Sequence, residues 1–158
     1  MGGFISLLLA ADPTLKSSIA GLLLVAPAVN FSSVLYKSIC SQLPKEVIEH
    51  LEAGGLYKYE NEFGSRTIRK SFFDSAAELE FKGEIHVDVP VTILHGVKDE
   101  TVPFKDSLQI IENITSKDVE LTYVKESTHR FQDPSSLKLL KDAVLKMVEK
   151  TKRTDTDR

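Results

Sequence analysis

Two short apolar segments, each followed by a polar loop, constrain the fold of this chain more than any other feature. Residues 91–94 precede a loop that carries Asp99, and residues 119–124 precede a loop that carries His129. Short runs of aliphatic and β-branched residues predict buried strands. Because functional side chains of open α/β sheets gather at the carboxyl ends of the strands, the sequence predicts an acid and a histidine at one sheet edge.

The order of these two residues, Asp99 before His129, is that of acid and base in the Ser…Asp…His triad of α/β-hydrolases. The motif H-G-x-x-D-x-x-V-P at residues 95–103, followed by Thr-His-Arg at 128–130, resembles the α/β-hydrolase superfamily. Within it, the chain looks most like the mitochondrial abhydrolase-domain branch of acyl-protein thioesterases and acyl-glucuronide esterases. This resemblance implies that Asp99 is the triad acid and His129 the triad base.

The resemblance also implies where the nucleophile would lie. The nucleophile elbow of the family reads G-x-S-M-G-G, and this chain begins with Met1-Gly2-Gly3. Met1 then matches the residue after the serine, whose backbone N–H donates to the oxyanion hole. We therefore expect a chain truncated just after its nucleophile, whether as a fragment, an isoform or an incomplete gene product.

Two functions follow as alternatives, and a third possibility is that the chain is an unrelated doubly wound domain that binds a small ligand. By family, the chain is a serine esterase or thioesterase, similar to palmitoyl-protein thioesterases, that cleaves acyl esters or thioesters and is inactive as given because the serine is missing. The alternative is a non-catalytic truncated isoform that acts as a binding or interaction protein. The expected substrates are small-molecule or acyl-protein esters and thioesters.

The hydrophobic pattern predicts the α/β class, as the C-terminal half of a doubly wound, mostly parallel sheet. The expected domain spans residues 1–150, with a helical cap insertion at about 30–85, and residues 151–158 form a disordered polar tail. The predicted helices are 4–11, 31–39, 44–53, 67–79, 104–115 and one that starts near Asp133, and the predicted strands are 19–28, 89–94 and 119–124, with 57–62 irregular.

Aromatic residues are scattered through the insertion and have two open interpretations. In the hydrolase fold such an insertion caps the active site, so these side chains are candidates to line an acyl pocket. The alternative is that they only pack the insertion. The residues concerned are Phe31, Tyr36, Phe63, Phe72 and Phe73.

The apolar run at residues 19–28 is typical of a strand covered on both faces. Without the strand that precedes it in the family, it would present an exposed hydrophobic edge, which favours aggregation. We therefore expect poor solubility of the isolated chain or self-association through this edge.

Other acids and histidines compete weakly for the site. Glu100 is one residue too late in the motif, and Asp106 falls in a first helical turn, where acids are favoured anyway. His50 and His86 have the surroundings of surface residues. His95 stands where a strand ends, and we expect a structural role for it.

Composition narrows the classes of partner. The net charge of −3 argues against nucleic acid, whose binding domains carry a basic surplus, and no apolar run is long enough to span a membrane. The single cysteine, Cys40, excludes an internal disulfide, and neither a metal-ligand spacing nor a phosphate-binding glycine motif occurs. We therefore expect no cofactor and no metal.

The resemblance implies a mitochondrial location. The N-terminus lacks the Arg-rich amphipathic pattern of a transit peptide, so the chain is expected to be cytoplasmic if Met1 is the true start.

Overall fold

The structure is a computed structural model, and it describes residues 1–61 and 64–156. The chain divides into two compact units, Met1–Val29 with Phe81–Arg158, and Asn30–Glu80. The elements in chain order are α1 (Gly2–Ala11), a 3₁₀ turn (Lys16–Ser18), β1 (Leu22–Val25), α2 (Ser32–Cys40), α3 (Lys45–Glu52), β2 (Leu56–Asn61), β3 (Gly64–Arg69), α4 (Lys70–Glu78), β4 (Val91–Gly96), α5 (Asp106–Asn113), β5 (Val119–Val124) and α6 (Pro134–Thr156).

The first unit is built on a parallel sheet with the strand order β1-β4-β5. The central strand β4 is buried at every position. This matches its continuous apolar sequence, because a strand covered on both faces has no polar side to present. The predicted α/β class with a parallel sheet is confirmed.

Helices cover both faces of this sheet. Successive side chains of a strand point to opposite faces, so neighbouring residues of β4 pack against different helices. On one face, Ile93 of β4 packs in a cluster with Leu7 of α1 and Ile110 of α5. On the other, Leu94 packs with Ala143 of α6 and with Phe131, which precedes that helix. Adjacent residues of one strand thus belong to separate cores.

The buried side of α6 differs from the predicted one. The sequence predicts a core stripe at residues 137, 139, 140, 144, 145 and 148, yet Leu137 and Leu145 are 51% and 54% exposed. Ser136, Ala143 and Met147 are buried instead. Apolar residues on two adjacent sides of the helix left the sequence pattern ambiguous. The small side chains of Ser136 and Ala143 face inward, where helix and sheet come close.

The same helix continues further than predicted. It ends at Thr156, so residues 151–156 are helical rather than part of a disordered tail, and residues 157 and 158 lie outside the described part. The hydroxyl of Thr151 donates to the carbonyl of Met147 at 3.0 Å, and Lys150 pairs with Asp118 at the start of β5. Local bonds and an anchoring ion pair thus extend the helix beyond its apolar segment.

The second unit contains a hairpin that the sequence reasoning missed. Residues 57–61 form β2 rather than irregular chain, and residues 67–69 belong to β3 rather than to a helix. The strands pair antiparallel, with Tyr57 opposite Ile68. Helix α4 begins only at Lys70, because pairing between β2 and β3 overrides the local helical pattern. Residues 62 and 63 lie outside the described part.

Aromatic side chains of this unit contact one another. The rings of Tyr36 and Phe73 are 5.1 Å apart, and Phe72 meets Phe73 edge to face at the same distance. Leu51 and Ile68 complete this core. These contacts explain the positions of three of the five aromatic residues. Phe63 lies outside the described residues, and the acyl-pocket interpretation stays a prediction.

Candidate active site

Asp99 lies on the loop that follows β4, and its side chain is fully buried. One carboxylate oxygen, Oδ1, accepts hydrogen bonds from the backbone N–H groups of Thr101 and Val102, both at 2.8 Å. This local turn fixes the direction of the carboxylate. It leaves the second oxygen, Oδ2, for partners from other parts of the fold.

His129 lies on the loop that follows β5, and its Nδ1 is 2.8 Å from Oδ2 of Asp99. Its side chain is 41% exposed, whereas that of Asp99 is completely buried. A carboxylate can only accept, so it holds the hydrogen on Nδ1 and leaves Nε2 as a free base. The structure therefore brings together the acid and the histidine that the sequence singles out.

The charge state of Asp99 suits this contact. Burial raises the pKa of the carboxyl group, but the N–H of Val102, the His129 ring and the N–H of Thr101 together hold this pKa below its usual range. A hydrogen-bonded carboxylate stays ionised at neutral pH. It can then stabilise positive charge on the imidazole.

The two loops also pack directly on each other. A side chain at Gly96 would place its Cβ 2.2 Å from the carbonyl oxygen of Ser127, so only glycine fits this position. The same carbonyl accepts the N–H of Lys98 at 3.1 Å. The Ser127 hydroxyl bonds to that of Ser136 in α6. The loop that carries the histidine is thereby held against the loop that carries the acid.

His95 is a further member of the site that the sequence reasoning assigned only a structural role. Its ring is fully buried, with Nδ1 at 2.7 Å from Oγ of Ser107. Nε2 lies 3.2 Å from the carbonyl oxygen of Val102 and 3.2 Å from Oδ2 of Asp99. The sequence signal is the spacing of His95 and Asp99 in one motif, which does not reveal whether the two side chains meet.

The other acids and histidines considered as candidates take no part in the contact between Asp99 and His129. Glu100, His50 and His86 are exposed. Asp106 is the first residue of α5, and burial raises the pKa of its carboxyl group, partly offset by His95. Within residues 1–61 and 64–156, no group of three His, Cys, Asp or Glu side chains is arranged to hold a metal ion.

Helix α1 begins at the same edge of the sheet. A Cβ at Gly3 would lie 2.7 Å from Cβ of Pro27, which follows the carboxyl end of β1. Met1 precedes the helix and is 60% exposed, and its carbonyl accepts the N–H groups of Phe4 and Ile5. Because the strands are parallel, the start of α1 and the loops of Asp99 and His129 share one sheet edge.

No nucleophile contacts the histidine within the part of the chain that the structure describes. Among these residues no serine hydroxyl bonds to His129, and Ser6 donates to the carbonyl of Gly2 inside α1. The site as described is a buried acid and a base whose side chain is 41% exposed.

Comparison with known proteins agrees with this fold. No family model matches the chain. The rat protein named "Palmitoyl-protein thioesterase ABHD10, mitochondrial" is 34% identical over 113 residues, which are 68% of this chain and 38% of the relative. Mouse alpha/beta hydrolase domain-containing protein 10 superposes with a TM-score of 0.75 at 28% identity, over 94% of this chain and 58% of that one. A putative hydrolase from Agrobacterium vitis has a TM-score of 0.76 at 27% identity, over 93% and 58%.

The fold and its neighbours thus define the C-terminal part of an α/β-hydrolase, and the predicted resemblance to this superfamily is confirmed. Within it, the chain is similar to ABHD10, a protein named as a mitochondrial palmitoyl-protein thioesterase. The matched stretch spans 37–38% of the length of these curated relatives. Of the helices that the structure describes, none combines the length and apolar character needed to cross a membrane.

Proposed function

We propose that this chain supplies the acid and the base of a Ser-His-Asp triad that cleaves acyl esters or thioesters. The observation that carries the proposal is the 2.8 Å contact between Nδ1 of the half-exposed His129 and the buried carboxylate of Asp99. A base oriented by a buried acid, with its other nitrogen open to a reacting group, is the arrangement that acyl transfer needs.

In the proposed reaction, a serine hydroxyl attacks the acyl carbonyl carbon and Nε2 of His129 takes the hydroxyl proton. The same nitrogen returns the proton to the leaving thiol or alcohol, which gives an acyl-serine that water then hydrolyses by the same steps. Asp99 holds the ring in the Nδ1–H tautomer and stabilises its charged form. In the G-x-S-M-G-G elbow of the family, this serine is the residue immediately before the methionine that Met1 matches.

The start of α1 is the proposed oxyanion site. The N–H of Met1, the residue after the proposed serine, donates to the oxygen that becomes negative during attack. The location of the helix start beside Pro27, at the carboxyl edge of the sheet, supports this assignment. The positive end of the helix dipole adds to the stabilisation of the developing charge.

The proposed substrates are long-chain acyl thioesters of proteins, with release of the acyl group as in depalmitoylation, and the proposed location is the mitochondrion. Both proposals rest on the names of the ABHD10 relatives, and the chain matches only 37–38% of the length of those relatives. Small acyl esters are the second substrate class, because the same triad chemistry cleaves both kinds of bond.

The experiment uses a completed chain, defined as the N-terminal part of the rat relative, up to the residue that aligns immediately before Met1, joined to Met1 of this chain. Hydrolysis of p-nitrophenyl acyl esters and of a palmitoylated cysteine peptide is measured with His129→Ala and Asp99→Asn. We expect turnover to fall by on the order of 10⁴-fold or more for each. The matched controls His86→Ala and Asp106→Asn are expected to retain turnover, and full activity of His129→Ala would overturn the proposal.

A non-catalytic binding protein is the second candidate function. Exposed apolar side chains favour it: Ile5 and Leu9 on α1 are 47% and 43% exposed, and Leu137 and Leu145 on α6 are more exposed still. Contiguous groups of such side chains mark surfaces that other chains cover, and Ile5 and Leu9 lie one helical turn apart on α1. A soluble, monodisperse 158-residue chain without esterase activity would favour this function.

A further inference from the structure

We propose that His95 is a positioning residue for the triad acid, which holds the turn from Asp99 to Val102 so that the carboxylate faces His129. The inference rests on the proposed function, because it assigns His95 a part in the orientation of the proposed base. It goes beyond a general structural role, since the ring contacts the turn at two points.

The hydrogen-bond partners of His95 determine its tautomer. The carbonyl oxygen of Val102 can only accept, so Nε2, at 3.2 Å, carries the hydrogen. Nδ1 then accepts from the hydroxyl of Ser107 at 2.7 Å. Ser107 is itself fully buried in α5, so the ring is fixed between this helix and the turn.

Val102 is held at both of its backbone polar groups. Its carbonyl accepts from His95, and its N–H donates to Oδ1 of Asp99. The N–H edge of His95 also lies 3.2 Å from Oδ2, the oxygen that His129 contacts. Rotation of the carboxylate away from His129 would therefore break the bonds of the turn and move negative charge away from a polarised N–H.

Two substitutions separate this role from simple packing. Glutamine places an amide donor near the position of Nε2, so His95→Gln keeps the contact with the turn. Asparagine places its amide near the position of Nδ1, so His95→Asn keeps a partner for Ser107 but does not reach Val102 or Asp99. Both variants keep a polar side chain at position 95, where the surrounding polar groups form hydrogen bonds.

The test uses the 158-residue chain labelled with ¹⁵N-histidine, and NMR spectra that distinguish the two ring tautomers. Spectra are recorded at about pH 8.5, above the ordinary histidine range. We expect the Nδ1–H form for His129 and the Nε2–H form for His95 in the unmodified chain. In His95→Asn we expect His129 to lose at least half of its Nδ1–H signal, and in His95→Gln to retain it.

Circular dichroism and thermal unfolding accompany each spectrum, and His86→Asn is the control for the substitution itself. If His95→Asn does not fold, Ser107→Ala decides. That variant keeps the ring and its Nε2–H, which the Val102 carbonyl still accepts, but removes the bond that anchors the ring to α5, so the Nδ1–H signal of His129 should fall. An unchanged tautomer of His129 in every variant that folds would overturn the inference.

This readout is independent of hydrolysis. Loss of the Nδ1–H form of His129 in His95→Asn, together with an inactive completed chain, would support the positioning role and refute the proposed function. Activity of the completed chain, together with an unchanged His129 tautomer in His95→Asn, would support the proposed function and refute the positioning role.

Discussion

His129 contacts Asp99 across 30 residues of chain, with Nδ1 of the ring 2.8 Å from Oδ2 of the carboxylate. The contact joins the loops that follow two adjacent parallel strands, β4 and β5. It therefore depends on the register of the sheet and on the packing of the two loops. Both dependences are open to experiment.

The stability of the first unit should depend on pH through the ionisation of Asp99. Its pKa is lower in the folded chain than its ordinary value of 3.8, so ionised Asp99 stabilises the fold. This contribution is complete above the unfolded pKa and is lost as pH falls through the folded pKa. Thermal unfolding between pH 7 and about 2 should show a fall in Tm below about pH 4 that is smaller in Asp99→Asn. Parallel Tm curves for the two chains would contradict the expected contribution.

Gly96→Ala should separate the two site loops. The added Cβ would lie 2.2 Å from the carbonyl oxygen of Ser127, a backbone atom that cannot move without the loop of His129. We expect a loss of about 1–3 kcal/mol in the free energy of unfolding, measured by urea denaturation. Gly2→Ala is the matched control, because nothing lies within 4 Å of its Cβ position. Equal effects of both substitutions would show that the close approach is not constraining.

Ser32 and Glu80 should stabilise the second unit by joining its two ends. Ser32 is 1% exposed, and both its N–H, at 2.9 Å, and its hydroxyl donate to Oε1 of Glu80. We expect Ser32→Ala to cost about 1–3 kcal/mol, since a buried bond to a charged partner is lost. The exposed neighbour Ser33 provides the control Ser33→Ala, which should have an effect below about 0.5 kcal/mol. Both effects are measured by urea unfolding followed by tyrosine fluorescence. A larger effect of Ser33→Ala than of Ser32→Ala would refute the assignment.

Self-association through the free edge of β1 stays a prediction, and sedimentation velocity tests it. Among the described strands, β1 pairs only with β4, so its other side carries unpaired backbone groups. We expect oligomers whose fraction grows with concentration and that persist in the double variant Ile5→Lys, Leu9→Lys. Oligomers lost in that variant would instead assign the contact to α1, and a monomer at every concentration would contradict association.

The sequence predicted the part of the site that local pattern encodes. Asp99 and His129 each follow an apolar strand, so their arrival at one sheet edge follows from the parallel topology. The role of His95 was not predictable, because the contact of its ring with Val102 depends on how the loop turns back. The β2–β3 hairpin was missed for a similar reason, since its stability comes from pairing between residues such as Tyr57 and Ile68.

The buried face of α6 shows another limit. Leu137 and Leu140 both satisfy the helical pattern, but only Leu140 packs against the sheet cluster, while Leu137 stays 51% exposed. Hydrophobicity alone does not choose between two adjacent apolar sides of a helix. The choice depends on which side brings small residues such as Ala143 to the sheet.

The coupling between Asp99 and His129 is best measured by a double-mutant cycle on thioester hydrolysis by the completed chain. If Asp99 acts through His129, Asp99→Asn should add little to the loss already caused by His129→Ala, because residues that act as a unit are strongly non-additive. We expect the turnover of the double variant to be within about tenfold of that of His129→Ala. Independent losses that multiply, or a His129→Ala variant with the turnover of the unmodified chain, would contradict it.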